Sequence, residues 1–145
     1  VSGCPRNCAE ATIKDFGIIG VDSGWEIHVA GNGGIKVRVT DFLCKVKTDE
    51  ELFEMVKAYM QFYREDAYYL ERTAHWMERV GLEYVKEVLF DKEKRKMYAD
   101  SFDISQKSAQ VDPWAKAIED GFTKEFSPIV IDPNDSHSFE AKEQI

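Results

Sequence analysis

Two of the three cysteines, Cys4 and Cys8, stand four positions apart around Pro5 in the opening run Val1-Ser2-Gly3-Cys4-Pro5-Arg6-Asn7-Cys8. Closely spaced thiolates are ligands for soft metal centres and nucleophiles in redox exchange, so this pair is where chemistry is sought first. The spacing is C-x3-C, which is not the C-x2-C of zinc ribbons and thioredoxin-type sites, and a disulfide across one turn is geometrically awkward. An iron–sulfur cluster held by four thiolates needs two further ligands. On spacing alone, two unrelated thiols in a loop and a zinc or redox switch stay open. Cys44 sits among strand-forming residues and reads as a small apolar core side chain.

The cysteine pair needs an element to hold it. Pro5 suits the first position of a helix, which predicts a short helix over Arg6–Lys14 with Cys4 at its N-cap. Such a terminus favours thiolate over thiol, and a spacing of four puts both sulfurs on one side of a helical turn. From Phe16 the period changes to two. Phe16–Val21 is a short apolar strand; Trp25, Ile27 and Val29 alternate with Glu26, His28 and Ala30; after Gly31-Asn32-Gly33-Gly34, Ile35, Val37 and Val39 alternate with Lys36, Arg38 and Thr40. The alternation continues less cleanly to Val46. An antiparallel meander with one apolar face follows, with Lys36 and Arg38 on its polar face beside His28.

Thr48-Asp49-Glu50-Glu51 is a capping box, and Leu52, Met55, Val56, Tyr59, Phe62 and Tyr63 form one apolar stripe behind it. A second helix runs through Leu70, Ala74, Met77 and Val80 to Gly81. A third, from Leu82 to Leu89, fades into the charged run Asp91–Lys96. The fold class is α+β: a small antiparallel sheet, preceded by a short helix and followed by three or so helices packed on one face. Residues 1–100 form one domain. Residues 101–145 form an arm or tail with a short helix over 113–121, opened by Pro113, centred on Trp114 and Ile118 and closed by Gly121; little periodicity follows Ser127.

Composition excludes several classes. The 145 residues carry a formal net charge of -8, which argues against a nucleic-acid surface. No apolar run has the length of a membrane span. An odd number of cysteines without framework spacing points away from a disulfide-stapled secreted module and towards a reducing, cytoplasmic setting. His75, Trp76 and His137 read as packing or surface residues. The chain starts at Val1 without a methionine, so a terminal piece of a longer protein is expected.

Cys4-Pro5-Arg6-Asn7-Cys8, the stretch Gly24–Gly34, Asp41-Phe42-Leu43-Cys44-Lys45-Val46 and the segment Tyr69–Leu82 together resemble the C-terminal part of the siroheme-containing nitrite and sulfite reductases. The resemblance is closest to large subunits of cytoplasmic NAD(P)H-dependent nitrite reductases and covers roughly residues 1–100. It implies that a C-x5-C pair elsewhere and the C-x3-C pair jointly hold one [4Fe-4S] cluster. Cys4 is then a cluster ligand, and Cys8 both a ligand and the bridge to the siroheme iron. Spacing alone leaves an ordinary hairpin turn with a solvated outer face open, whereas the resemblance implies that Gly31 and Asn32, and less directly Lys36 and Arg38, meet the siroheme, whose rim of carboxylates calls for cations and backbone donors.

The implied reaction is the six-electron reduction of nitrite to ammonia, with FAD and NAD(P)H on domains that lie upstream. The first cysteine pair and the anion-binding Arg and Lys side chains lie there too. This stretch alone is therefore expected to be inactive and to retain no cofactor. Expected partners are the upstream domains and a small reductase subunit, with self-association through the apolar surface those domains leave open. Rival expectations are a sulfite reductase hemoprotein fragment and a scaffold that binds no cofactor.

Overall fold

The computed structural model describes residues 1–110 and 112–121. The expected tail from Ser127 onward, with His137, lies outside the described residues. Residues Val1–Gln106 form one compact unit, and a second begins at Lys107.

In the first unit, strands β1 (Phe16–Val21), β2 (Gly24–Val29) and β3 (Asp41–Val46) form an antiparallel sheet in the order β1-β2-β3. Ile18 pairs with Ile27 and Phe16 with Val29, while Ile27 pairs with Cys44 and Trp25 with Val46. Trp25, Ile27 and Val29 therefore share the face that meets the helices, and Glu26 and His28 take the other. Pairing shifts between Ile27 and His28, whose partners are Cys44 and Phe42, leaving Leu43 as the extra residue of a bulge.

The third strand is not where the alternation of Ile35–Thr40 predicts it. Those residues form a loop, and Ile35, Val37 and Val39 are 107%, 67% and 65% exposed. The edge of β2 is instead taken by Asp41–Val46, whose Leu43 and Val46 are buried. Alternation sets two faces apart without saying which one finds a core.

Helix α1 (Asp49–Asp66) starts at the predicted capping box. The Thr48 hydroxyl accepts from the Glu51 N–H at 3.2 Å, and the Glu51 carboxylate accepts from the N–H groups of Thr48 and Lys47. Its buried stripe is Leu52, Met55, Ala58, Tyr59, Gln61 and Phe62. Helix α2 (Thr73–Val80) ends at Gly81 as expected but starts after Leu70, which is 82% exposed at φ 62°. Helix α3 is Leu82–Phe90.

The charged run does not end α3 in a coil; it opens an 18-residue helix, α4 (Lys92–Ala109). The Asp91 carboxylate accepts from the N–H groups of Glu93 and Lys94, and Arg95–Glu54 and Lys57–Asp103 ion pairs fasten the helix to α1. Ala99 is its one buried residue, so it carries little apolar period.

The α+β reading stands, with five helices after the sheet among the described residues. The fully buried side chains include Trp76, Tyr59, Phe62, Ile27 and Leu43, and the Trp76 indole N–H donates to Asp66 at 2.7 Å. In the second unit, α5 (Pro113–Glu119) is capped by Asp112, which accepts from the Trp114 N–H at 2.9 Å. No described helix is long and apolar enough to cross a membrane.

Candidate functional site

The cysteine turn is strapped to the outer edge of β1. The Ser2 N–H donates to the Ile18 carbonyl and the Gly20 N–H to the Ser2 carbonyl, both at 2.8 Å. The chain then makes successive tight turns: Asn7 N–H to Cys4 carbonyl at 3.1 Å, Glu10 to Asn7 at 2.9 Å and Ile13 to Glu10 at 3.2 Å. Asn7 and Glu10 sit at φ 51° and 54°.

A short helix does precede the sheet, but it is a 3-10 turn at Ala11–Ile13 with Glu10 at its N-cap. The helix predicted over Arg6–Lys14 is absent, so neither cysteine sits at a helix N-terminus. Asn7 is the cause: its side chain takes the Ala11 N–H at 2.7 Å and its left-handed backbone breaks the helical path.

Asn7 also holds its surroundings. Its Oδ1 accepts from the Ser2 hydroxyl at 3.0 Å, and its Nδ2 donates to Thr12 Oγ1 at 2.8 Å. Cys4 and Cys8, on either side, are both exposed. Cys4 also lines a cleft of about 330 Å³ with Pro5, Asp22 and Trp25. Sequence reasoning missed Ser2, Asn7 and Thr12; the available signal was an asparagine, a residue that tolerates left-handed backbone, between the two cysteines.

The segment Thr12–Asp15 joins this turn to the glycine-bearing loop. The Thr12 carbonyl accepts from the Thr40 N–H at 2.8 Å, Lys14 from Gly31 at 2.9 Å and Asp15 from Ala30 at 2.9 Å. Gly31 is buried there, and a Cβ on it would lie 2.6 Å from the Lys14 carbonyl oxygen. Asn32 closes the loop: it exchanges backbone bonds with Arg38, donates from Nδ2 to the Lys36 carbonyl at 2.9 Å and accepts from the Gly34 N–H at 3.2 Å.

Lys36 and Arg38 do not share a strand face with His28. Arg38 turns inward, donating to the Ala30 carbonyl at 2.6 Å and to Asp41 at 2.8 Å, with Glu78 at 3.5 Å. Lys36 is exposed and has no ion pair among the described residues. His28 stands on the far side of β2, edge-on to Phe42, and its Nε2 is buried without a hydrogen bond, 3.8 Å from Glu26. Cys44 is half-buried against the core; burial pushes its thiol up to about 11, against a smaller pull from Arg95.

Asp15 ties the joining segment to α2. Its carboxylate accepts from Thr73 Oγ1 at 2.6 Å and from Arg72 at 2.8 and 3.0 Å. Partial burial pushes its pKa up, but the bonds from Thr73 and Arg72 outweigh this and hold it below the usual 3.8.

Residues 1–97 match the nitrite and sulphite reductase 4Fe-4S domain. The chain belongs to that family. It is 53% identical over 120 residues to nitrite reductase [NAD(P)H] of Bacillus subtilis, a match covering 83% of this chain and 15% of that protein. Against the nitrite reductase (NADH) large subunit of Escherichia coli the identity is 44% over 93 residues, 63% of this chain and 11% of that one. An assimilatory-type sulfite reductase of Nitratidesulfovibrio vulgaris is 30% identical over 89 residues, 61% of this chain and 41% of that one. The chain thus spans only 15% or less of these two nitrite reductases.

The turn suits this family's cluster. Thiols are the donors such clusters take, and both are accessible on a turn fixed by hydrogen bonds. Among the described residues no group of three or more His, Cys, Asp and Glu side chains is arranged to hold a metal ion. Cys4 and Cys8 are two donors of the kind a four-thiolate cluster takes.

Proposed function

We propose that this chain supplies two cluster ligands and a cofactor-facing loop to the siroheme and [4Fe-4S] centre of a cytoplasmic NAD(P)H-dependent nitrite reductase. Cys4 and Cys8 hold the cluster, and Cys8 also faces the siroheme iron. The remaining cysteines, the FAD and NAD(P)H sites and the anion-binding cations belong to further domains of the same polypeptide, with a small reductase subunit as a further partner. The cofactor-binding part lies within residues 1–100. When bound, siroheme and cluster would pass on to nitrite the six electrons that NAD(P)H delivers through the flavin, reducing it to ammonia.

The residues of this chain bind and orient. Lys36, exposed and without an ion pair among the described residues, is the cation available to a siroheme carboxylate. Gly33 and Gly34 are exposed and bring backbone to the cofactor. Arg38 is committed to Ala30 and Asp41 and works by holding the loop closed. The observation that carries the reading is the pair of exposed thiols on a turn bonded through Thr12 to the glycine-bearing loop.

The test is Cys4→Ser and Cys8→Ser in the full-length protein. Each is expected to abolish the cluster, read as iron and acid-labile sulfide, and with it the coupled siroheme spectrum. Wild-type iron and sulfide in both variants would overturn the assignment. Turnover with nitrite and sulfite, measured side by side, decides the substrate; identities of 53% and 30% to the respective relatives favour nitrite.

A further inference from the structure

We propose that Thr12 is a positioning residue that couples the cysteine turn to the Gly31–Thr40 loop, so that both meet their cofactors as one unit. This rests on the cluster reading above. Thr12 is bonded in both directions: its Oγ1 accepts from Asn7 Nδ2 at 2.8 Å and its carbonyl accepts from the Thr40 N–H at 2.8 Å. The side-chain bond reaches the residue directly before Cys8. The backbone bond reaches the far end of the loop that Asn32 closes.

The orientation of Asn7 follows from its partners. The Ala11 backbone N–H can only donate, so the amide oxygen must face it, and the NH2 end must face Thr12. The Asn7 N–H bonds the Cys4 carbonyl at 3.1 Å, and its left-handed backbone sets the direction of the chain into Cys8. Rotating Asn7 therefore moves both thiols. Residues 3–10 bury no side chain that could hold the turn by packing, so these directed bonds do it.

The experiment compares Thr12→Val, Thr12→Ser and Asn7→Asp in the full-length protein purified with its cofactors. Thr12→Val keeps the shape and loses the hydroxyl. Iron release from the reduced protein to a ferrous chelator is expected to be faster by up to about 10-fold, the lower bound for partners bonded directly to a metal ligand, because Thr12 acts one bond further out, through Asn7. Siroheme absorbance falls with it. Thr12→Ser keeps the acceptor and is expected to behave as wild type.

Asn7→Asp keeps an oxygen towards Ala11 and Ser2 but sets a negative charge beside the thiolates, so the cluster's midpoint potential is expected to fall. Wild-type iron release in Thr12→Val, or equal impairment of Thr12→Ser, overturns the coupling. An unchanged potential in Asn7→Asp overturns the placement of Asn7 against the cluster; should Thr12→Val not fold, Thr12→Ala, which removes the same hydroxyl, decides the coupling, faster iron release supporting it and a wild-type rate overturning it. Cys4→Ser and Cys8→Ser separate the two failures. Cluster loss in the cysteine variants beside a wild-type Thr12→Val sinks only the coupling, whereas full cluster content in the cysteine variants sinks the cluster reading itself.

Discussion

Around Trp76 the chain buries Tyr59, Phe62, Met77 and Leu89 almost completely, whereas residues 1–15 bury only Ser2 and Ala11. The first region is held by apolar contact, with the Trp76 ring edge-on to Tyr59, Phe62 and Tyr63 at 5.3–5.8 Å. The second is held by directed bonds among Ser2, Asn7, Ala11 and Thr12. Under the proposed function the contrast follows from the task of each: thiols that are to reach a cofactor shared with other domains stay exposed in this one, so their geometry comes from hydrogen bonds. Burial stabilises the unit but does not select one shape for an exposed turn.

The largest expected effect belongs to the core. Trp76→Ala removes a fully buried indole and leaves the Asp66 carboxylate without its donor, at a cost of about 3–5 kcal/mol in denaturant unfolding. Under native conditions iron release from the folded fraction should stay at the wild-type rate. Acceleration matching that of Thr12→Val would erase the distinction between the two regions.

Gly31→Ala should cost less and matter more to the site. Its Cβ would meet the Lys14 carbonyl oxygen at 2.6 Å and Thr40 Cγ2 at 2.7 Å, an overpacking worth about 1–3 kcal/mol. The strain falls on the seam between cysteine turn and loop, so iron release should rise although stability drops less than in Trp76→Ala. Wild-type iron release in Gly31→Ala would show that the seam does not govern the thiols.

Legibility divides along the same line. Where burial decides, the period is visible: the stripe of α1 behind Thr48, and the alternation of Trp25, Ile27 and Val29. Two failures have physical causes. Ile35, Val37 and Val39 alternate as a strand does, yet their apolar side chains face outward while Arg38 folds back onto Ala30 and Asp41. Helix α4 is fastened by Arg95–Glu54 and Lys57–Asp103 and buries only Ala99, so apolar spacing could not reveal it.

At the cysteine turn, residue type alone draws attention to Cys4 and Cys8, and the structure places both exposed on one turn. Pro5 and the good helix formers after it misled, because Asn7 spends its side chain on the Ala11 N–H instead of extending a helix. Ser2, Asn7 and Thr12 are small neutral residues without a period, and only the folded turn reveals their pairing.

The smallest expected effect is acid sensitivity. The Ser2–Asn7–Thr12 network contains no titratable group. Elsewhere, a hydrogen bond from Arg79, helped by the Tyr68 N–H and the Arg79 charge, holds the Glu71 carboxyl well below its ordinary 4.5, at about 2. Asp15 is likewise held below 3.8 by Thr73 and Arg72.

Both pKa values are depressed in the folded state, so the stability they contribute is complete above 4.5 and 3.8 and is lost as the pH falls through the folded values. The difference in thermal midpoint between wild type and Glu71→Gln should therefore be full above pH 4.5 and close as the pH approaches about 2. Amide exchange over the same range should show the Trp76 N–H, bonded to the Arg72 carbonyl at the start of α2, losing protection as Asp15 takes up its proton. The Ala11 N–H, held by the neutral Asn7 amide, should not follow that profile. If the two amides lost protection together, the cysteine turn would depend on the Asp15 anchor to α2 rather than on its own network, and the two regions would be one.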